Sequence, residues 1–333
     1  MLQRRKSDQA LNYSIIIPAK DAERTIADCL NGAVQQAGFT LGIDYEIIVV
    51  DDGSIDQTVE IVKKYPVRYL HQNNQGPASA RNSGAKEAVG EILLFTDADC
   101  VPAENWLEQM VAPFADVETV GVKGTYKTRQ KGFVPRFVQL EYGSKYEGLK
   151  QKETIDFIDT YSAAYRKKVF LEAGGFDVRF PVPSVEDQEL SFRLAKQGCK
   201  LIFQPDAAVY HQHDLNLSEY WQRKFGIGYW KAYMLRWLPE KIFSDSYTPF
   251  SQRLQIGLLP FMLAALIGAF YFSAAGWIFG LFAVMFLVSG TGVLKYIWQH
   301  DRPIALIFPG MLFVRAVALG CGLFCGFIFP PKK

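Results

Sequence analysis

The sequence predicts a doubly wound, mostly parallel α/β sheet followed by interfacial helices and C-terminal transmembrane helices. Two observations carry this. Short apolar runs alternate with helix-period segments over residues 13–95, the pattern of parallel strands joined by crossover helices. From Leu254 to Pro330 only Lys295, Asp301, Arg302 and Arg315 are charged, whereas charges are interspersed throughout the chain before that point. The expected division is a soluble α/β domain over residues 1–213, interfacial helices over 214–252, and a region of two to three spans over 253–330.

The elements follow in order. Tyr13-Ser-Ile-Ile-Ile-Pro18 reads as a buried strand stopped by proline, and Ala22, Ile26, Leu30, Ala33 and Val34 give helical spacing between Asp21 and Gln36. A second strand, Tyr45–Val50, breaks at Asp51-Asp-Gly-Ser54 and leads into a helix at about Asp56–Tyr65. Val67–His71 is a short third strand, Gly76–Val89 a third helix, and Ile92–Phe95 a fully apolar fourth strand that ends in Asp97 and Asp99.

Pro18–Asp21, Asp51–Asp52 and Asp97–Asp99 thus fall at the carboxyl ends of three strands of one sheet, where open α/β sheets bind ligands. Asp-x-Asp alone reads as a turn with an N-cap. Acids on three neighbouring strand ends favour a ligand that brings donors or cations: a base N–H, ribose hydroxyls, and a divalent metal on a diphosphate. The stretch Asn73–Gly84 fits neither Gly-x-Gly-x-x-Gly nor the P-loop pattern, which disfavours a dinucleotide or P-loop reading. It is either a loop with a helix N-terminus or a segment from which Arg81 approaches phosphates.

The net charge of +2 argues against nucleic acid as a partner. The five cysteines show no Cys-x-x-Cys spacing, so neither a disulfide framework nor a zinc site is expected, and a reducing, cytosolic setting fits. The basic start, residues 1–6, is followed by polar residues, and the run Ile15–Ile17 ends at Pro18. No signal peptide is expected, and the α/β domain is expected on the cytoplasmic face of the inner (cell) membrane.

Ile17-Pro-Ala-Lys-Asp-Ala-Glu23, Val50-Asp-Asp-Gly-Ser54, Gly76-Pro-Ala-Ser-Ala-Arg-Asn82 and Thr96-Asp-Ala-Asp99 resemble, in order and spacing, the successive motifs of glycosyltransferase family two. Its catalytic domain has the nucleotide-sugar-binding A-type fold. The resemblance continues through Tyr161–Arg166, Gly174-Gly-Phe-Asp177 and Glu186-Asp187, and covers roughly residues 13–235. Lys20 and Asp21 depart from the Tyr and Asn more common there. The resemblance implies donor contacts at Pro18, Ala19, Glu23, Asp52, Arg81 and Asp97, with Asp52 at the nucleobase and Asp97 near the ribose. It implies Mg²⁺ or Mn²⁺ on Asp99, with His211 as a further ligand, and catalytic roles for Asp187, as general base, and Glu186. An acceptor hydroxyl must lose its proton as it attacks the anomeric carbon, and a single displacement of this kind inverts. Without the upstream motifs, Glu186–Asp187 reads as the capping turn of a helix over Gln188–Lys196.

Between Ser218 and Leu238, Trp221, Phe225, Tyr229, Trp230, Tyr233 and Trp237 alternate with Arg223, Lys224, Lys231 and Arg236, the mixture expected of helices in a membrane interface. An ordinary packed amphipathic helix is the rival. The Gln-x-x-Arg-Trp motif of processive synthases is absent, since Gln222 is followed by Arg-Lys-Phe, which favours single sugar transfer. Leu254–Phe272 and Trp277–Leu294 read as a hairpin of spans, Tyr296–Pro303 as a basic loop, and Ile304–Phe329 as a third apolar segment with Arg315 inside it. Gly322-Leu-Phe-Cys-Gly326 has the small-x-x-x-small spacing of helix packing. The expected acceptor is membrane-associated and lipid-linked, with Arg223, Lys224 or Arg236 at its phosphate and Arg315 contributing. The rivals are a soluble acceptor, a non-catalytic sugar-nucleotide-binding scaffold, and a nucleotidyltransferase, which would need a glycine-rich basic loop after the first strand.

Overall fold

The computed structural model describes residues 11–242 and 248–330; the basic start at residues 1–6 lies outside them. The chain forms two compact units. One runs up to Arg129 and resumes over Leu149–Gln212; the other takes Gln130–Gly148 and everything from His213. The second change of unit falls between Gln212 and His213, and residues 130–148 group with the helical unit.

The α/β unit is built on one mixed sheet. Its first half is parallel: β1 (Tyr13–Ala19) lies between β2 (Tyr45–Asp51) and β4 (Ile92–Phe95), and β3 (Arg68–His71) lies outside β2. These strands form where the sequence offers runs that can be covered on both faces. Ile15, Ile16, Ile17, Leu93, Leu94 and Phe95 are all fully buried. The crossover helices are α1 (Ile26–Val34), α2 (Thr58–Val62) and α3 (Pro77–Glu87). α1 and α2 are shorter than their spacing predicts. Asp21 takes a left-handed φ of 48°, and the Ala22 and Glu23 N–H groups donate to Thr58 Oγ1 (2.7 Å) and Asp56 Oδ2 (3.0 Å) rather than entering a helix.

The second half departs from the parallel expectation. β5 (Cys100–Pro102) and α4 (Trp106–Val111) precede β6 (Thr119–Lys127); after α5 (Phe133–Leu149), β7 (Ala163–Arg166), α6 (Lys167–Glu172), α7 (Glu186–Lys196) and β8 (Lys200–His211) complete the unit. The strand order is β3-β2-β1-β4-β7-β6-β8-β5, with β7 antiparallel to β4 and β6, and β5 antiparallel to β8. The β5–β8 register sets Cys100 opposite His211, so the residue before Cys100 is carried to the end of β8.

The helical unit comprises α5, α8 (Leu217–Met234), α9 (Phe250–Gly268), α10 (Ser273–Ser289), α11 (Thr291–His300) and α12 (Arg302–Ile328). The expected basic loop after residue 295 is helical instead, since α11 runs to His300 and α12 begins at Arg302. α9 and α12 are long and apolar enough to cross a membrane, and α10 with α11, bent by 49°, would make a third candidate. Helix α8 closes directly onto α12. A Cβ on Gly322 would lie 2.1 Å from the Phe225 carbonyl oxygen, and one on Gly326 2.3 Å from that of Tyr229. Gly322→Leu should therefore force the two helices apart at a cost of about 1–3 kcal/mol, read as a lower melting temperature of the detergent-solubilised chain.

Candidate active site

The expected site residues of the α/β unit gather at the carboxyl ends of β1, β2 and β4 and at the head of α7. Asp97 to Cys100 form a turn closed by the Cys100 N–H on the Asp97 carbonyl at 3.0 Å. The turn leaves Asp99 half-exposed, with its Oδ2 3.3 Å from His211 Nε2. Burial pushes Asp99 up, but the His211 imidazole and the Cys100 thiol outweigh it and hold the carboxylate below its ordinary value. Asp99, Cys100 and His211 offer ligand atoms all within 4.8 Å of one another. An oxygen and an imidazole nitrogen at this separation could share one cation. The thiol is a poor third ligand, because burial, then Asp99 and Asp97, raise its pKa well above the usual value and keep it protonated. A carboxylate with one imidazole suits Mn²⁺ or Mg²⁺ with the remaining positions open to phosphate oxygens and water.

Arg81 ties this strand end to α7. Its buried guanidinium donates to Asp97 Oδ1 at 2.7 Å and to Glu186 Oε1 at 2.9 Å. Burial opposes its charge, and the two carboxylates more than restore it. The segment leads into α3 at Pro77, and Arg81 is enclosed on that helix, where it braces protein carboxylates. Glu186 is equally enclosed and also accepts from the Ser184 N–H at 2.8 Å, so it is placed as a brace beside Asp187. Asp187 itself has only the Gln188 N–H (2.7 Å) among the bonds resolved to its carboxylate. Burial, then the neighbouring Glu186 charge, push it up to about 8. Arg81→Met would leave Asp97 and Glu186 without their shared counter-charge and should cost about 3–5 kcal/mol, whereas Arg81→Lys should cost less; equilibrium denaturation of the two variants checks this.

The remaining donor-side residues form a stitched rim. Asp52 is buried and accepts from Gln72 Nε2 (2.7 Å), Gln75 N–H (2.7 Å) and Gly76 N–H (2.9 Å), so it shapes the loop before α3. Gly76 has φ 90°, and a Cβ there would lie 2.7 Å from the Pro181 carbonyl oxygen. Pro18 and Ala19 end β1 beside Val50 and Asp51, and the Ala19 carbonyl accepts from the Asp52 N–H at 2.8 Å. Glu23 is exposed and accepts from the Gln57 N–H at 3.2 Å, bridging the loops after β1 and β2.

The comparisons with known proteins bear on the fold and on the stretch that carries these strand ends. The model of glycosyl transferase family 2 matches residues 14–174. The matched stretch, a little under half of the chain, resembles a family 2 transferase domain. The pre-mycofactocin glycosyltransferase of Mycobacterium tuberculosis is 28% identical over 188 residues, 54% of this chain and 40% of that one. The glycosyltransferase AglE of Haloferax volcanii is 27% identical over 258 residues, 74% of this chain and 81% of AglE. The chain thus spans about two fifths of the first relative's length. Among solved structures, the mannosyltransferase PcManGT of Pyrobaculum calidifontis, in complex with GDP-Man and Mn²⁺, superposes with a TM-score of 0.63 at 17% identity, over 98% of this chain and 89% of that one. The α/β unit has the A-type fold of these transferases.

Within the α/β unit several residues around the site carried no local sequence signal. Tyr126 on β6 lies between the rings of Tyr161 and His211, the latter at 4.5 Å between centroids, and so backs the imidazole. Lys123, buried on β6, pairs with Asp159. Asn82 accepts from the Phe176 N–H (2.9 Å) and donates to its carbonyl (2.8 Å), holding the loop that leads toward α7. Asp51, beside Asp52 at the end of β2, turns the other way as the acceptor for Tyr69, His71 and the Ser54 N–H, contacts its position in the sequence did not indicate.

The expected acceptor residues lie in the helical unit and are engaged there. Lys224 is buried and pairs with Glu141 at 2.9 Å, so it is corrected from an acceptor contact to an internal counter-charge. Arg223 pairs with Asp214 at 2.6 Å, and Arg236 donates to the Phe327 carbonyl at 2.9 Å. His213 belongs to the same unit and meets Gln139 at 3.2 Å, which leaves His211 as the histidine beside Asp99.

Proposed function

We propose that the chain is an inverting glycosyltransferase that moves one sugar from a nucleotide-sugar donor to a hydroxyl or phosphate of a membrane-associated, lipid-linked acceptor. The observation that carries the reading is the pairing of a candidate cation site, Asp99 with His211, and a high-pKa carboxylate, Asp187, within one α/β unit. A divalent cation on Asp99 and His211 would act as a Lewis acid toward the donor diphosphate. Asp97 and the rim around Asp52 present acceptors for ribose and base. Asp187 takes the acceptor proton as the acceptor oxygen attacks the anomeric carbon, and Arg81 with Glu186 fixes where that carboxylate stands. One attack with no enzyme-bound sugar inverts the anomeric centre.

The lipid-linked acceptor is supported by α9 and α12, each long and apolar enough for a membrane, in the same chain. A tethered enzyme meets an anchored acceptor at a high effective concentration. Arg223 and Arg236 remain the cations to test at the acceptor phosphate, because both keep solvent access. The experiment uses the full chain, since α5 and α8 pack with α12: sugar transfer from a panel of nucleotide sugars to membrane lipid extract is compared with transfer to water-soluble acceptors. Label confined to the soluble acceptor would refute the lipid reading.

The pH dependence has a definite sign. Because Asp187 is held protonated up to about 8, its basic form, and with it kcat/KM, should rise with pH through neutrality toward a plateau above that value. Folding stability runs the other way: the folded state keeps a proton that the unfolded chain releases near pH 4, so this group's contribution falls as pH rises between the two values. Asp187→Asn should flatten both profiles.

A further inference from the structure

Helix α12 has the length and composition of a span, but its partners are not those of a span. At its start, Asp301 accepts two bonds from Arg136 of α5, at 2.8 and 2.6 Å. At its middle, buried Arg315 donates to Glu141 of α5 and to Gln255 near the head of α9, both at 2.8 Å. Toward its end, Gly322 and Gly326 lie against the α8 backbone, and Tyr229 of α8 donates to the Phe329 carbonyl at 2.8 Å. α5 and α8 together accompany α12 from one end to the other.

Neither companion can sit in hydrocarbon. α5 carries Arg136, Glu141, Lys145 and Glu147, and α8 carries Glu219, Arg223, Lys224 and Lys231. Both lack the roughly 20 consecutive apolar residues a crossing needs, and charges on helices belong at the interface or in a protein interior. On either side of Arg315, α12 has only about 13 residues, or about 20 Å, short of a hydrocarbon core about 30 Å thick.

The hairpin of α9 and α10 is the opposite case. No charge falls between Leu254 and Leu294. Apolar side chains stand exposed along it, with Phe270 at 83% and Trp277 at 84% near its tip. Its helices of 19 and 17 residues reach about 28 and 26 Å. Its base is marked by Gln255, which donates to Ser289 at 2.9 Å and also accepts from Arg315. Beyond that base the 49° bend redirects α11, and Gly143 of α5 leaves room for the Tyr296 ring.

We infer that the chain crosses the bilayer twice, by the α9–α10 hairpin alone, while α12 lies along the membrane surface with α5 and α8. The outward apolar residues of α12, such as Leu306 at 82% exposure and Phe324 at 64%, then meet the boundary between headgroups and acyl chains, as in a monotopic helix. This assignment needs nothing from the catalytic reading, and either can fail without the other.

The test is cysteine labelling of the full chain in sealed membrane vesicles with a membrane-impermeant maleimide. Cys199, Cys321 and Cys325 are replaced by Ser, the buried Cys29 and Cys100 being kept. Three single variants are compared at exposed positions: Glu60→Cys in the α/β unit, Ala274→Cys at the hairpin tip and Pro330→Cys beyond α12. Unaltered melting temperatures establish that each variant is folded. Glu60→Cys and Pro330→Cys should label from one side and Ala274→Cys from the other. Labelling of Pro330→Cys from the side opposite Glu60→Cys would mean a third crossing and overturn the inference, as would labelling of Ala274→Cys from the same side as Glu60→Cys.

Discussion

Asp187→Asn is expected to reduce turnover by roughly 10²–10⁴-fold while nucleotide-sugar affinity stays near that of the unaltered chain. The side chain keeps its shape and its place at the head of α7, but loses the proton acceptor. Asp187 is the acid there whose charge is least compensated: Glu186 is occupied by Arg81 and the Ser184 N–H, and Glu189 by Arg193 at 2.7 Å. Steady-state transfer measured beside equilibrium donor binding separates the two effects. Turnover near the original level would move the base elsewhere.

Asp99→Asn is expected to remove metal-dependent nucleotide binding and nearly all transfer, by on the order of 10²-fold or more, since several kcal/mol of charge stabilisation on the diphosphate would go with it. The carboxylate is half-exposed on a turn and fills no core space, so the melting temperature should change little. His211→Ala should weaken Mn²⁺ binding less, because it removes a neutral ligand and leaves the charge. Calorimetric titration of nucleoside diphosphate with Mn²⁺ and with excess chelator reads both variants, and full activity in chelator would rule out the cation's role.

Much of this was legible from the sequence where the signal is local. The parallel half of the sheet follows from apolar runs such as Ile15–Ile17 and Ile92–Phe95, which can be buried only in a strand covered on both faces. The acids at the strand ends follow from where those runs stop. The lost information is in pairings distant along the chain. Arg81 and Glu186 are 105 positions apart, and nothing near either residue indicates that they meet in a buried bridge. Glu141 reads as an ordinary helix acid until Lys224 and Arg315 are brought to it from 83 and 174 positions away. The same holds for α5, whose residues read as part of the α/β domain yet supply the helical unit's buried carboxylate. The cationic residues of α8 suggested a phosphate site by composition, and composition cannot say that Lys224 already has a buried partner.

The most direct test of the central claim is transfer by the purified full chain in detergent or lipid, with a panel of radiolabelled nucleotide sugars, extracted membrane lipids and Mn²⁺. The account predicts that at least one donor labels the lipid fraction with stoichiometric release of nucleoside diphosphate. It further predicts that chelator abolishes the label and that the product has the anomeric configuration opposite to the donor's. Donor binding without sugar transfer to any acceptor, or a product of retained configuration, would contradict it.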